Sequence, residues 1–195
     1  MHRFRCFVIL LLFASTGLMA RGQKTTAVQE LFSQLKQPKT TDAAARAILD
    51  LASKDPDARA YVAQRLPAIV KDKEVGSVWL NAVRLAGQLK SQDAIPVLID
   101  ALSRGSVGEG SVTIAEYMRL DTDVVAKALV EIGDPSVPAV AGLLKQGDKR
   151  KRYRAALILL NINTPLSKTA LREHLPNETE SDIKKIIEDG IQSPK

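Results

Sequence analysis

Aromatic, cysteine and histidine residues are scarce in this chain, and each shortage closes off a class of structure. Of 195 residues, 4% are aromatic, one is cysteine and two are histidine. Cys6 alone forms no intrachain disulfide, and so few His and Cys residues cannot supply a metal centre built from several such ligands. With so few rings, a core has to be assembled from Ala, Leu, Ile and Val. The glycines Gly105, Gly108 and Gly110 are followed by no Lys-Ser/Thr pair and no helix start at the required spacing, which excludes a phosphate-cradling loop. The apolar run Cys6–Phe13 (CFVILLLF) is shorter than the roughly 20 residues that a membrane-spanning helix needs.

That run fits a different purpose. Arg3 and Arg5 precede it and a small, mixed stretch, Ala14–Gly22, follows it, which is the order of a secretory signal peptide. Ala20 and Gly22 are small residues two apart, so residues 1–22 are read as a removed signal that leaves Gln23 first. Cleavage after Ala20 and an uncleaved anchor are the alternatives. Cys6 opens the run instead of following it, which argues against lipoprotein processing. The expected location is periplasmic or secreted, with no transmembrane segment once the signal is cut. Arg3, Arg5 and Arg21 leave with the signal, so the formal charge falls from +6 to +3. A surplus that small gives no ground for a nucleic-acid partner. Residues 23–195 suffice for one domain with a continuous core.

What the chain has in quantity is apolar sequence at helical spacing. Ala44, Ala47, Ile48 and Leu51 lie at i, i+3, i+4 and i+7. So do Ala82, Leu85, Ala86 and Leu89, then Val125, Ala128, Leu129 and Ile132, then Tyr153, Ala156, Leu157 and Leu160. Each set forms one stripe of an α-helix, and a small-then-large stripe recurring along one chain marks a helical repeat array. The spacing predicts helices over Asp42–Ser53, Ser77–Lys90, Asp121–Ile132 and Lys149–Ile162. Partner helices carry Val62, Leu66, Ile69 and Val70, then Ile95, Leu98, Ile99 and Leu102, then Val137, Val140, Ala141 and Leu144. Asp55-Pro56, Asp93, Gly133-Asp134-Pro135 and Thr164-Pro165 supply caps and starts, while Pro67 should bend or end its helix early. Further helices are expected over 24–37 and from Ser181 to Ile191, the latter ending in Gly190. No strand is predicted. Trp79 fits either the core or an interface.

The offsets Ala82 to Ile95, Val125 to Val137 and Tyr153 to Leu166 are 13, 12 and 13 positions, each a helix, a tight turn and an antiparallel partner. LAGQLKSQDAIPVLIDAL (Leu85–Leu102) and ALVEIGDPSVPAVAGLL (Ala128–Leu144) resemble HEAT-like repeats of the short bacterial kind, which also occur in phycobilisome lyases. Ile132-Gly133-Asp134 and Val137-Pro138 follow that signature, whereas Gly87 is shifted relative to Asp93. The resemblance implies an all-α fold, a right-handed α-solenoid of about four antiparallel helix pairs, with protein–protein binding along its concave face. It does not imply lyase activity, because chromophore attachment is intracellular and this chain is read as exported. Fold analogy is a weak warrant for function in any case.

Three features stand out from the repeat. Between Leu102 and Val125 lie 22 residues, against 8 between Leu144 and Tyr153, so residues 103–120 (SRGSVGEGSVTIAEYMRL) form an insertion. Insertions in a repeat array emerge on one face and often bind; the plainer reading is a tolerated surface loop. Its candidate partner contacts are Arg104, Glu109, Glu116, Tyr117 and Arg119. Second, KQGDKRKRYR (Lys145–Arg154) holds six basic residues and one acid. Bases in a first helical turn oppose the dipole at a cost of a few tenths of a kcal/mol each, about 0.3 at the low end. Lys149, Arg150, Lys151, Arg152 and Arg154 are therefore candidates for an anionic surface or polymer, or else a solvated face. Third, His174 has no nucleophile at a recognisable spacing. No catalytic residue, cofactor or metal site is assigned, and the Asn177-Glu178-Thr179 sequon is discounted on a chain bacterial in style. The expected function is a non-enzymatic protein-binding scaffold, and the alternative is an envelope protein holding an anionic polymer or membrane surface through residues 145–154.

Overall fold

The computed structural model describes residues 26–72, 76–103, 123–146 and 148–192, and every regular element among them is helical. The signal-like residues 1–22 and residues 104–122 of the insertion region lie outside the described residues. Helix α1 covers 26–35, and α2 (Thr41–Lys54), α3 (Pro56–Ala63), α4 (Leu66–Val70) and α5 (Ser77–Gln88) follow. A 3-10 turn, Gln92–Ala94, leads into α6 (Ile95–Ser103). After α7 (Val124–Ile132), a second 3-10 turn, Asp134–Ser136, leads into α8 (Val137–Gln146). The chain closes with α9 (Lys149–Ile162), α10 (Pro165–His174), the 3-10 turn Leu175–Asn177 and α11 (Ser181–Gln192).

Local chemistry sets most of these boundaries. Asp55 caps α3 by accepting from the N–H groups of Asp57 and Ala58, with Pro56 at the first helical position. Asp123 does the same for Val125 and Ala126 of α7. Thr164 and Ser167 exchange bonds in a capping box at the start of α10. Pro67 has no N–H to give to the Ala63 carbonyl, and the chain breaks between α3 and α4. The freed carbonyl accepts instead from the Ser91 hydroxyl at 2.8 Å. Asp93 does not act as the expected cap: it lies inside the 3-10 turn, which begins after Ser91. Gly190 likewise does not end the last helix. It sits within α11 because the Leu160 side chain occupies the place where a Cβ would point.

The turns after α5, α7 and α9 share one backbone feature. Lys90 (φ 53°), Gly133 (φ 81°) and Asn163 (φ 53°) all have positive φ at the point where one helix gives way to its partner. Equivalent turns also touch, since the Thr164 hydroxyl donates to Asp134 Oδ1 at 2.5 Å. Packing alternates along the chain. Helices α2, α5, α7, α9 and α11 touch in that order, while α4, α6, α8 and α10 touch in theirs.

The apolar stripes fill the space between. Ala82, Leu85, Ala86 and Leu89 are all buried, as are Val125, Ala128, Leu129 and Ile132. Helix α9 departs from the single-stripe reading. Leu157 and Leu160 are only half-buried, whereas Ala155, Ile158, Leu159 and Ile162 are buried, because α7, α8, α10 and α11 surround this helix. Trp79 belongs to the core, 5% exposed, and its Nε1–H donates to the Val70 carbonyl at 3.0 Å.

Gly87 allows the closest approach in this packing. A Cβ there would stand 2.8 Å from the Cα of Ala128 on α7, a backbone atom that cannot yield. Gly142 in α8 has nothing within 4 Å of the same construction. The two glycines should therefore respond oppositely to alanine. Gly87→Ala is expected to lose about 1–3 kcal/mol through overpacking. Gly142→Ala is expected to gain about 0.5–1 kcal/mol from helix propensity. Urea denaturation of the two variants checks both signs.

Candidate functional site

The basic segment that opens α9 meets acids of its own chain. Asp148 caps the helix, accepting from the Lys151 N–H at 2.9 Å, and its other oxygen faces Lys151 Nζ at 3.8 Å. Lys149 Nζ lies 2.8 Å from Glu180 and 3.1 Å from Asp182. Arg152 reaches Glu178 with two parallel bonds, Nε to Oε2 at 3.0 Å and Nη2 to Oε1 at 3.1 Å. This fork-to-fork geometry is the strongest that a guanidinium and a carboxylate make.

Glu178 is the centre of the arrangement, with its side chain fully shielded from solvent. Its Oε1 also accepts from the backbone N–H groups of Thr179 and Glu180 at 2.9 and 3.0 Å. Its Oε2 lies 2.9 Å from Nε2 of the buried His174, which donates when that nitrogen carries the proton. Burial pushes the Glu178 carboxyl up, but the Arg152 guanidinium, the Glu180 N–H and His174 outweigh it and hold the group at about 2. The Glu178 bonds hold the Arg152 guanidinium above its ordinary range, those to Glu180 and Asp182 hold the Lys149 ammonium above its own, and Lys149 holds Asp182 below the carboxylate range. The cluster ties the first turn of α9 to the end of α10 and the start of α11.

Arg154 is buried, at 5% exposed, and clasps a different part of the fold. Its Nη1 donates to the carbonyl of Leu102 at 2.6 Å, and its Nη2 binds Asp123, the residue that caps α7. Leu102 and Asp123 stand on either side of residues 103–122. One guanidinium therefore fixes both ends of the insertion region.

Arg152 and Arg154 thus point into the fold, where Glu178 and Asp123 neutralise them. Lys149 and Arg150 are exposed and Lys151 is half-exposed. The five candidates Arg104, Glu109, Glu116, Tyr117 and Arg119 lie outside the described residues. Sequence reasoning passed over Glu178, Asp123 and Asn81. An i, i+4 step from His174 to Glu178 and an acid ahead of an apolar stripe at Asp123 were the available signals. Asn81, which donates to Asp42 at 2.6 Å and Thr41 at 3.2 Å, had none. Among the described residues no group of three or more His, Cys, Asp or Glu is placed to hold a metal ion. No helix among them is long and apolar enough to cross a membrane. Comparison with known proteins finds no matching family model, no matching curated protein and no matching solved structure.

Two outcomes follow from this geometry. Because Glu178 is depressed to about 2 in the fold from an ordinary 4.5, its contribution is complete above pH 4.5 and disappears as pH falls through 2. Glu178→Gln should flatten that limb of a stability–pH curve. It should also lower the neutral plateau by about 3–5 kcal/mol, since the Arg152 guanidinium loses its counter-charge. The hydroxyl of Tyr153 is buried without a partner. Tyr153→Phe should accordingly stabilise by about 1 kcal/mol, read as a higher melting temperature; a fall would mean that the hydroxyl is satisfied by bound water.

Proposed function

We propose that this chain is an exported, non-enzymatic protein-binding scaffold, folded as a right-handed α-solenoid of HEAT-like helix pairs. The observation that carries this reading is the alternation of contacts, in which α2, α5, α7, α9 and α11 pack in one series and α4, α6, α8 and α10 in another. Recurrence of a positive-φ residue at three successive helix–helix turns supports the same repeat. Such stacking sets equivalent positions side by side and builds one long surface from short units. The polar groups that could have served chemistry, Arg152, Arg154, His174 and Glu178, are bonded to one another or to the backbone inside the fold. Internal pairing of Lys149, Lys151 and Arg152 favours this reading over the alternative, an anionic polymer or membrane surface held at residues 145–154.

Residues 103–122, held at their base by Arg154, are assigned to the partner-contacting region. Cross-linking and capture from the native envelope test this, with the wild type compared against a deletion of residues 105–111. The deletion should weaken capture severalfold while leaving helicity unchanged, because the clasp at Leu102 and Asp123 stays. Equal capture by both chains would remove the insertion from the binding surface. Absence of any captured protein, with binding only to anionic vesicles that fails at high salt, would replace the scaffold reading.

A further inference from the structure

Helices α2, α5 and α7 carry the same charge at the same place. When the first residues of their buried stripes, Ala44, Ala82 and Val125, are set level, Arg46, Arg84 and Lys127 fall two positions later in each. All three are exposed, and none has an ion-pair partner among the described residues. The helices are consecutive neighbours. The Asn81–Asp42 bond and the contact of Gly87 with Ala128 keep them in near register. Packed helices stand about 8–10 Å apart, so the three cations form a row with that spacing across the face.

Of the acids near this row, Asp42 accepts from Asn81 and Asp50 is paired with Lys54, while the half-buried Glu131 stands over Gly87, so the row keeps a surplus of positive charge. Half-buried Leu49, Leu80 and Val130, each one turn along the helix from a cation of the row, place apolar surface beside the charges. Three cations flanked by apolar side chains fall short of the cluster of 4–8 Lys or Arg that recruits an anionic membrane. They suit a partner whose charges are spaced. A chain in the polyproline II form advances about 3.1 Å per residue, so every third side chain recurs near 9 Å on one face.

We propose that the row Arg46–Arg84–Lys127 docks an extended acidic peptide segment with a carboxylate at every third residue. The inference rests on the scaffold reading and names its partner class and a surface. The probe is a twelve-residue peptide of repeating Glu-Pro-Ala, bound to the full chain and followed by fluorescence anisotropy at low salt. A peptide of identical composition with its four glutamates adjacent, and phosphatidylserine vesicles, are the comparators. The spaced peptide should bind best. Arg84→Glu should weaken it by about tenfold, and the triple reversal at Arg46, Arg84 and Lys127 should abolish binding with circular dichroism unchanged. The equally charged control Lys145→Glu, which lies off the row, should change affinity less than twofold. Equal affinity for the clustered peptide, tighter binding to vesicles, or indifference to the triple reversal would overturn the proposal. Envelope capture that survives the triple reversal would do so while leaving the scaffold reading standing.

Discussion

A guanidinium cannot be buried without its counter-charge, and the placement of Arg154 shows what satisfying that requirement does for the fold. Removing the side chain from water costs several kcal/mol before any partner is found. The Leu102 carbonyl and the Asp123 carboxylate offset that cost. Asp123 is at the same time the cap of α7, so a single carboxylate terminates one helix and neutralises another. The end of α6, the start of α7 and the middle of α9 are thereby fixed to one point. A second buried carboxylate, Glu178, performs the corresponding task for α9, α10 and α11.

Between these two polar points the array is held by small residues. Ala82, Ala86, Ala126, Ala128, Ala155 and Ala156 are all essentially shielded from solvent, and Gly87 brings α5 against the backbone of α7. Few aromatic rings are available to fill gaps, so tight approach replaces bulk. Packing of that kind is sensitive to single added methyl groups. The interior is therefore specified as much by what is missing from its side chains as by what they contain.

How much of this could be read in the sequence follows from how local each determinant is. The helices and their caps at Asp55 and Thr164 were legible, because period, proline and capping oxygen all act within one turn. Gly190 misled because its role depends on Leu160, thirty residues away. The basic run looked like a ligand site because its acids, Glu178 to Asp182, come more than twenty residues later. Arg154 was invisible as a clasp for the same reason. Its bonds span 52 and 31 positions, and no spacing rule connects them.

Because Leu102 and Asp123 are joined through Arg154, the ends of the stretch between them are closed independently of its contents. Loop-closure entropy grows only logarithmically, about 0.6 kcal/mol for each doubling of length. The helices on either side are thus tied to each other by bonds that lie outside the stretch. Substitutions, extensions and shortenings within residues 103–122 can accumulate at small thermodynamic cost, provided that the arginine and its two partners stay. The clasp lets the two flanking helices keep their places while length is gained or lost between them.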